Sequence, residues 1–226
     1  MSRPVALVTG GSRGIGRAIA EALSPTHHVL VGGRTAAAVD PVVAALPSAE
    51  PFVADLTDEA SVAAAVVGIT GLDVLVHSAG MLSHWGPFAE STTQQWRAVL
   101  ELNVIAPATL TRLLLPQLRK ANGLVVFINS GAGLNGNRGF SVYAASKFAL
   151  TGLAQSLRED ERGRIRVTSL HPGRVATDMQ VELRTAEGGD FVPNAYLTPE
   201  DVARTVRLAV DLPPSASIET LRINHS

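Results

Sequence analysis

Short apolar runs recur along the chain, and between them the apolar residues return at helical spacing. VALV (5–8), HVLV (28–31), PFVA (51–54), DVLV (73–76), LVVFI (124–128), IRVTSL (165–170) and SIETLRI (217–223) predict seven strands. The middle runs are apolar at consecutive positions, as expected of parallel strands covered on both faces. Helix signals lie between them. RAIAEAL (17–23) has a helical pattern, and TTQQ (92–95) forms a Thr-x-x-Gln capping box. TPED (198–201) sets threonine at a cap, proline at the first position and acids in the first turn. Strands alternating with helices predict an α/β fold, a doubly wound sheet of about seven parallel strands with helices on both faces. No linker, repeat or low-complexity stretch interrupts the pattern, so residues 1–226 read as one domain.

Composition narrows the function classes. The chain has 226 residues, 46% apolar and 17% charged, which is globular composition. The net charge of −1 comes from interspersed charges, and REDERGRIR (158–166) mixes signs. Nucleic acid is therefore not an expected partner. There is no cysteine, which excludes disulfides, thiolate nucleophiles and zinc–sulfur sites and fits a reducing cytoplasm. His27, His28, His77, His84, His171 and His225 form no helical pairs with acidic partners, so no metal site is expected. No apolar run approaches a membrane span, and MSRPVALV runs into glycines without a signal-peptide apolar region. A cytoplasmic location is the expectation.

The first strand runs into TGGSRGIG (9–16), with Gly10, Gly14 and Gly16, and then into a helix. Glycines there permit a tight turn and let backbone approach a pyrophosphate, while the helix N-terminus offers free N–H groups. This context points to a dinucleotide site. After the second strand, a carboxylate would suit an adenosine ribose 2′-hydroxyl and an arginine a 2′-phosphate. Gly33 stands where the acid would be, followed by Arg34, and Arg13 is a second cation nearby. This favours NADP(H), with NAD(H) as the alternative. A plainer reading makes them one solvated loop arginine and one helix-start arginine.

The chain has two tyrosines and two lysines, yet Tyr143 and Lys147 stand four apart, one helical turn, on one face. A free phenol titrates near ~10, and a neighbouring ammonium would favour the phenolate and lower that value. Ser130 follows the fifth strand, at the sheet edge where ligands bind, and its hydroxyl can donate to a substrate oxygen. It sits outside a Gly-x-Ser-x-Gly elbow, so no hydrolase triad competes. Taken singly, Ser130 reads as a loop serine, Asn103 as a helix cap and Lys147 as a surface lysine.

Together, TGGSRGIG, DVLVHSAG (73–80), LNV (102–104), INS (128–130), YAASK (143–147) and HPGRVAT (171–177) resemble the short-chain dehydrogenase/reductase family in its compact branch. The resemblance implies a Rossmann-type fold and an oxidoreductase exchanging hydride between NADP(H) and a carbonyl or alcohol. Tyr143 would be the general acid/base, Ser130 would orient substrate, and Lys147 would also hold the nicotinamide ribose. Asn103 would bind a water linking Lys147 to solvent. Cofactor contacts would come from Gly10, Ser12, Arg13, Gly14, Ile15, Gly16 and Arg34, and from Asp55 and Leu56 at the adenine. Ser78, Ala79 and Gly80 would lie along the adenosine side, and Pro172, Gly173, Val175 and Thr177 at the carboxamide. A homodimer or homotetramer is implied, with Ala144, Ala145 and Ala149 permitting close approach. The alternative function is a non-catalytic dinucleotide sensor of the same fold.

Two positions depart from the family pattern. His77 replaces an asparagine that ties strands together, and His171 replaces an asparagine before Pro-Gly. His77 reads as a structural substitution, and His171 as a satisfied structural histidine, with a place facing the active site as the alternative. Leu82, His84, Trp85, the segment 131–142 and a mobile lid at 178–196 are expected to line the substrate pocket. Met179, Phe191 and Tyr196 would give that lid an apolar inner side or pack it down.

Overall fold

The computed structural model describes residues 3–82 and 85–226, which leaves His84 outside the described residues. The strands are β1 (Val5–Val8), β2 (His28–Gly33), β3 (Ala49–Val53), β4 (Val74–His77), β5 (Leu124–Ile128), β6 (Arg166–Pro172) and β7 (Thr220–Ile223). They form one parallel seven-stranded sheet in the order β3-β2-β1-β4-β5-β6-β7. The helices are α1 (Gly14–Leu23), α2 (Ala36–Ala45), α3 (Glu59–Val66), α4 (Thr93–Leu100), α5 (Ala106–Ala121), α6 (Ser141–Asp160), α7 (Asp178–Ala186) and α8 (Pro199–Val210). The expected capping box forms, Thr92 with Gln95 on α4, and Thr198 caps α8 as expected and also closes a box with Asp201.

The strand period sorts side chains into two apolar layers. Ala6, Val8, Val29, Val31, Val76 and Val126 pack beneath α1, α2 and α8. Leu7, Leu30, Leu75, Val125, Phe127 and Val167 alternate with them and meet α3, α5 and α6. Consecutive apolar residues thus serve opposite faces of one sheet. Burying each large side chain contributes roughly 1.5–3 kcal/mol before chain entropy is charged against it.

Strand ends shift by up to three residues from expectation, most at β7. The chain first touches the sheet through the carbonyls of Ile218 and Glu219, and regular pairing begins only at Thr220. A larger difference concerns residues 93–121, a nearly continuous helix of 29 residues long and apolar enough to cross a membrane. The expectation concerned uninterrupted apolar runs, and the apolar pattern of this helix is broken by Arg97, Glu101, Arg112, Arg119 and Lys120. Leu110, Leu114 and Leu118 of this helix are fully buried against the sheet, which accounts for its apolar face.

That helix is interrupted by a π-helical turn at Glu101–Ile105, closed by a bond from Ala106 N–H to the Glu101 carbonyl. In a continuous α-helix the Asn103 carbonyl would take its bond from residue 107. That residue is Pro107, which has no N–H. Proline chemistry therefore releases one backbone acceptor at Asn103.

The turn after β1 depends on its glycines. A Cβ on Gly16 would lie 2.2 Å from the Gly10 carbonyl oxygen, which is backbone and has no room to yield. Gly16→Ala should lose about 1–3 kcal/mol of stability by overpacking, measured by urea denaturation at neutral pH. An unchanged midpoint would contradict this account of the turn.

Candidate active site

β1 and β4 lie side by side at the point where the strand order reverses, the place where such sheets leave a crevice. The backbones close tightly there. Gly10 has φ +64°, and a Cβ on it would fall 3.0 Å from both N and Cα of Ala79. Thr9 Oγ1 accepts from the N–H groups of Ser78 (3.0 Å) and Ala79 (3.1 Å), tying the two strand ends together. No side chain caps α1, so its first N–H groups remain available to an anion.

A cleft of about 640 Å³ opens at this point. It is lined by Gly10, Ser12, Arg13, Gly14, Ile15, Gly16, Arg34, Asp55, Leu56, Ser78, Ala79, Gly80 and Thr177. Pro172, Gly173 and Val175 do not line it. Gly173 is held by the Ile223 carbonyl (2.8 Å), and Val175 pairs with Leu197. Two bonds from Thr57, then the Arg34 charge, hold the Asp55 carboxyl below its ordinary value. Arg13 reaches Asp178 at the start of α7 (2.9 Å), with both groups largely exposed. Such a pair is worth at most about 1 kcal/mol and can exchange partners.

Asn103 and Lys147 lie beside Gly80, Tyr143 is next to Lys147, and the Ser130 side chain reaches Tyr143; none of the four lines the cleft itself. A Cβ on Gly80 would sit 3.2 Å from Asn103 Oδ1 and 3.9 Å from Lys147 Nζ, so glycine keeps the cleft open toward them. Lys147 is 5% exposed and donates to the Ile128 carbonyl at 3.0 Å, which rules out the surface-lysine reading. Its Nζ lies 5.6 Å from the Tyr143 ring centre. The phenol is shifted upward, not downward: burial raises it, and the Ser130 side chain opposes this. Burial also pushes the Lys147 ammonium down to about 8. The expected lowering of the phenol by Lys147 is therefore corrected, because the low-dielectric surroundings disfavour both charged forms.

Ser130 Oγ accepts from Ala132 N–H (3.1 Å), leaving the hydroxyl proton to donate elsewhere. Asn103 is buried and is not a helix cap. Its Nδ2 donates to the Met81 carbonyl (3.0 Å) and Ser146 Oγ (3.1 Å), and its Oδ1 accepts from Met81 N–H (2.9 Å). Both side-chain donors of Asn103 are thus used within the protein.

Several contributors were missed in the sequence. Ser146 links Asn103 to α6 by donating to the Tyr143 carbonyl at 2.7 Å. Asn129 Oδ1 accepts from Ser130 N–H at 2.9 Å. Met81, Glu101 and Leu102 extend the cleft lining. Each adjoins a motif residue, which is the only signal the sequence carried.

His77 finds a partner in Thr111 Oγ1 (2.8 Å) and stacks on Phe127, and burial pushes it down to about 3. His171 is fully buried with both nitrogens bonded. The stretch expected as an irregular lid begins as a helix. Gln180 and Leu183 bury one face of α7, while Arg174 and Arg184 clamp Glu187 at its end. Phe191 and Tyr196 stack on each other at 5.5 Å, whereas Met179 reaches the cleft. Ala144 faces the core, so it is not available to a second subunit; Ala149 is exposed.

A family model described as short chain dehydrogenase matches residues 4–188. The chain is 36% identical over 225 residues to an uncharacterised short-chain type dehydrogenase/reductase of Sinorhizobium fredii, covering 97% of this chain and 90% of that protein. It is 30% identical to a serine 3-dehydrogenase of Agrobacterium fabrum, covering 96% and 92% of the two chains. Its structure resembles the closed form of a serine dehydrogenase complexed with NADP+, with TM-score 0.89, 27% identity and coverage of 97% and 94%.

The Lys147 shift has a sign that can be measured. Its ammonium titrates from 10.5 in the unfolded chain to about 8 when folded. Between those values the unfolded state binds more protons, so stability rises with pH. Relative to Lys147→Met, the wild type should gain up to roughly 3 kcal/mol from pH 8 to 10.5, read by denaturation series. Parallel stability curves would refute the buried-ammonium account.

Proposed function

The chain belongs to the short-chain dehydrogenase/reductase family, and from that premise we propose that it is an NADP(H)-preferring oxidoreductase interconverting a carbonyl compound and an alcohol. The observation that carries the reading is buried Lys147, which lies beside Gly80 at the wall of a glycine-built cleft and next to Tyr143, with the Ser130 side chain reaching that phenol. The cradle fits a dinucleotide. Gly10 leaves the space a side chain would fill, and uncapped N–H groups of α1 suit a pyrophosphate.

Bound there, the cofactor supplies or accepts the hydride. Arg13 and Arg34 hold the 2′-phosphate, Arg13 exchanging Asp178 for it. Asp55, Leu56, Ser78, Ala79 and Gly80 line the adenosine side, and Thr177 follows toward the carboxamide, with Pro172, Gly173 and Val175 outside the cleft lining. Ser130 donates its free hydroxyl proton as a hydrogen bond to the substrate oxygen. Tyr143 holds its proton at neutral pH, because burial raises the phenol. It is placed to protonate an alkoxide in reduction and, as phenolate, to take the proton from an alcohol in oxidation. Lys147 steadies the phenolate left behind and holds the ribose hydroxyls, and Asn103 offers its released carbonyl to a water leading toward solvent. A cofactor sensor without turnover would tolerate loss of the tyrosine or the lysine, and this chain has the full set of Ser130, Tyr143, Lys147 and Asn103.

Small or medium alcohols and carbonyl compounds are the substrate class. Exposed apolar residues on two helical segments, Ile105 on one and Phe148 and Ala149 on the other, support a homodimer or homotetramer.

Absorbance of NADPH and NADH with a panel of ketones, aldehydes, alcohols and serine should reveal turnover. Tyr143→Phe should lower it at least about a hundredfold while cofactor still binds, since general acid catalysis contributes that much. A variant retaining most activity would refute the mechanism. Arg13→Ala combined with Arg34→Ala should weaken NADPH about tenfold or more, with little change for NADH. Equal losses for the two cofactors would remove the 2′-phosphate assignment.

A further inference from the structure

The peptide group that carries Ser130 is held by side chains on both sides. Its N–H donates to Asn129 Oδ1 at 2.9 Å, and its carbonyl lies 2.9 Å from His171 Nδ1. A carbonyl can only accept, so Nδ1 must carry a proton. The other nitrogen, Nε2, lies 2.9 Å from Ser169 Oγ and, in a neutral ring, must accept from that hydroxyl. Ser169 Oγ in turn takes a bond from Asn129 Nδ2 at 3.3 Å. The loop after β5 is thus tied to β6 through a closed set of bonds, and His171 has no exposure to solvent.

We propose that His171 is a positioning residue for Ser130, acting through its Nδ1–H donor on the Ser130 carbonyl. The inference rests on the role given to Ser130 above. His171 touches neither substrate nor cofactor. It fixes the carbonyl half of the Ser130 peptide and hence the direction in which Oγ points. Misplacing a reacting group by about an ångström can cost on the order of a hundredfold in rate. The Gly133 N–H also bonds this carbonyl (2.9 Å), so losing His171 leaves the carbonyl partnered but tied only to its own loop.

Side-chain geometry separates the donor from mere filling of space. An asparagine amide nitrogen stands as many bonds from Cβ as His171 Nδ1, whereas a glutamine amide reaches the Nε2 position. His171→Asn should keep kcat within a few-fold, on the substrate turned over fastest in the panel above. His171→Gln and His171→Ala should lose about tenfold to a hundredfold in kcat. The NADPH dissociation constant, followed by its fluorescence, should stay unchanged in all three. Adding His171→Ala to Ser130→Ala should cost little beyond Ser130→Ala alone, because the group being positioned is already gone.

Equal losses for the asparagine and glutamine variants, or a double variant whose losses multiply, would overturn the inference. Full activity in Ser130→Ala would instead overturn the catalytic reading on which it rests. The ¹⁵N shifts of the His171 ring supply a test that needs no substrate. They should show a neutral ring protonated at Nδ1 at neutral pH, and a ring protonated at Nε2 would refute the proposal.

Discussion

An ammonium group taken out of water needs a partner, and Lys147 has the carbonyl of Ile128 at the end of β5. This one bond joins the middle of α6 to the carboxyl edge of the sheet. It works only because neighbouring groups leave the space. Gly80 has no side chain to press on Nζ, Gly133 lets the loop after β5 pass within contact of the Lys147 carbonyl, and Ser146 draws Asn103 against α6. A buried charge stabilised by so few bonds is costly, and that cost is expected where a group is kept for chemistry and not for folding.

The second constraint is steric. At the reversal of strand order, Gly10 and Ala79 approach so closely that no Cβ fits between them, and Thr9 staples the approach with paired hydrogen bonds. The same closeness sets the cleft beside Gly80, so the proposed cofactor cradle and the proposed catalytic group share a wall. The π-helical turn before Pro107 brings Asn103 to that wall from the other side. Three separate devices, a glycine contact, a proline and a buried lysine, thus converge on one volume.

Much of this was legible in one dimension. Alternating apolar runs predicted the strands because each strand serves two faces, and LVVFI and VALV matched β5 and β1 without adjustment. Thr-x-x-Gln predicted its capping box because the motif closes within four residues. Long-range pairings were not legible. Nothing in the sequence joins Arg13 to Asp178, His171 to Ser130, or His77 to Thr111, since each pair is brought together by sheet order. The lid shows the same limit. Its poor periodicity read as irregular, yet Gln180 and Leu183 had only to bury one short face to make α7 a helix.

The sequence alone determined the inventory: a glycine turn opening a helix, a glycine where an acid would otherwise stand with Arg34 and Arg13 nearby, and a tyrosine and lysine one turn apart. Those features depend on local geometry, which neighbouring residues specify. Tertiary structure decided the electrostatics. Whether a phenol four residues from a lysine is pushed up or down depends on burial, and burial is set by distant segments packing around it. The spacing suggested that Lys147 would lower Tyr143, but enclosure raised the phenol and lowered the ammonium instead. Charge strength in a folded chain is governed by the surrounding dielectric, which no short stretch of sequence encodes.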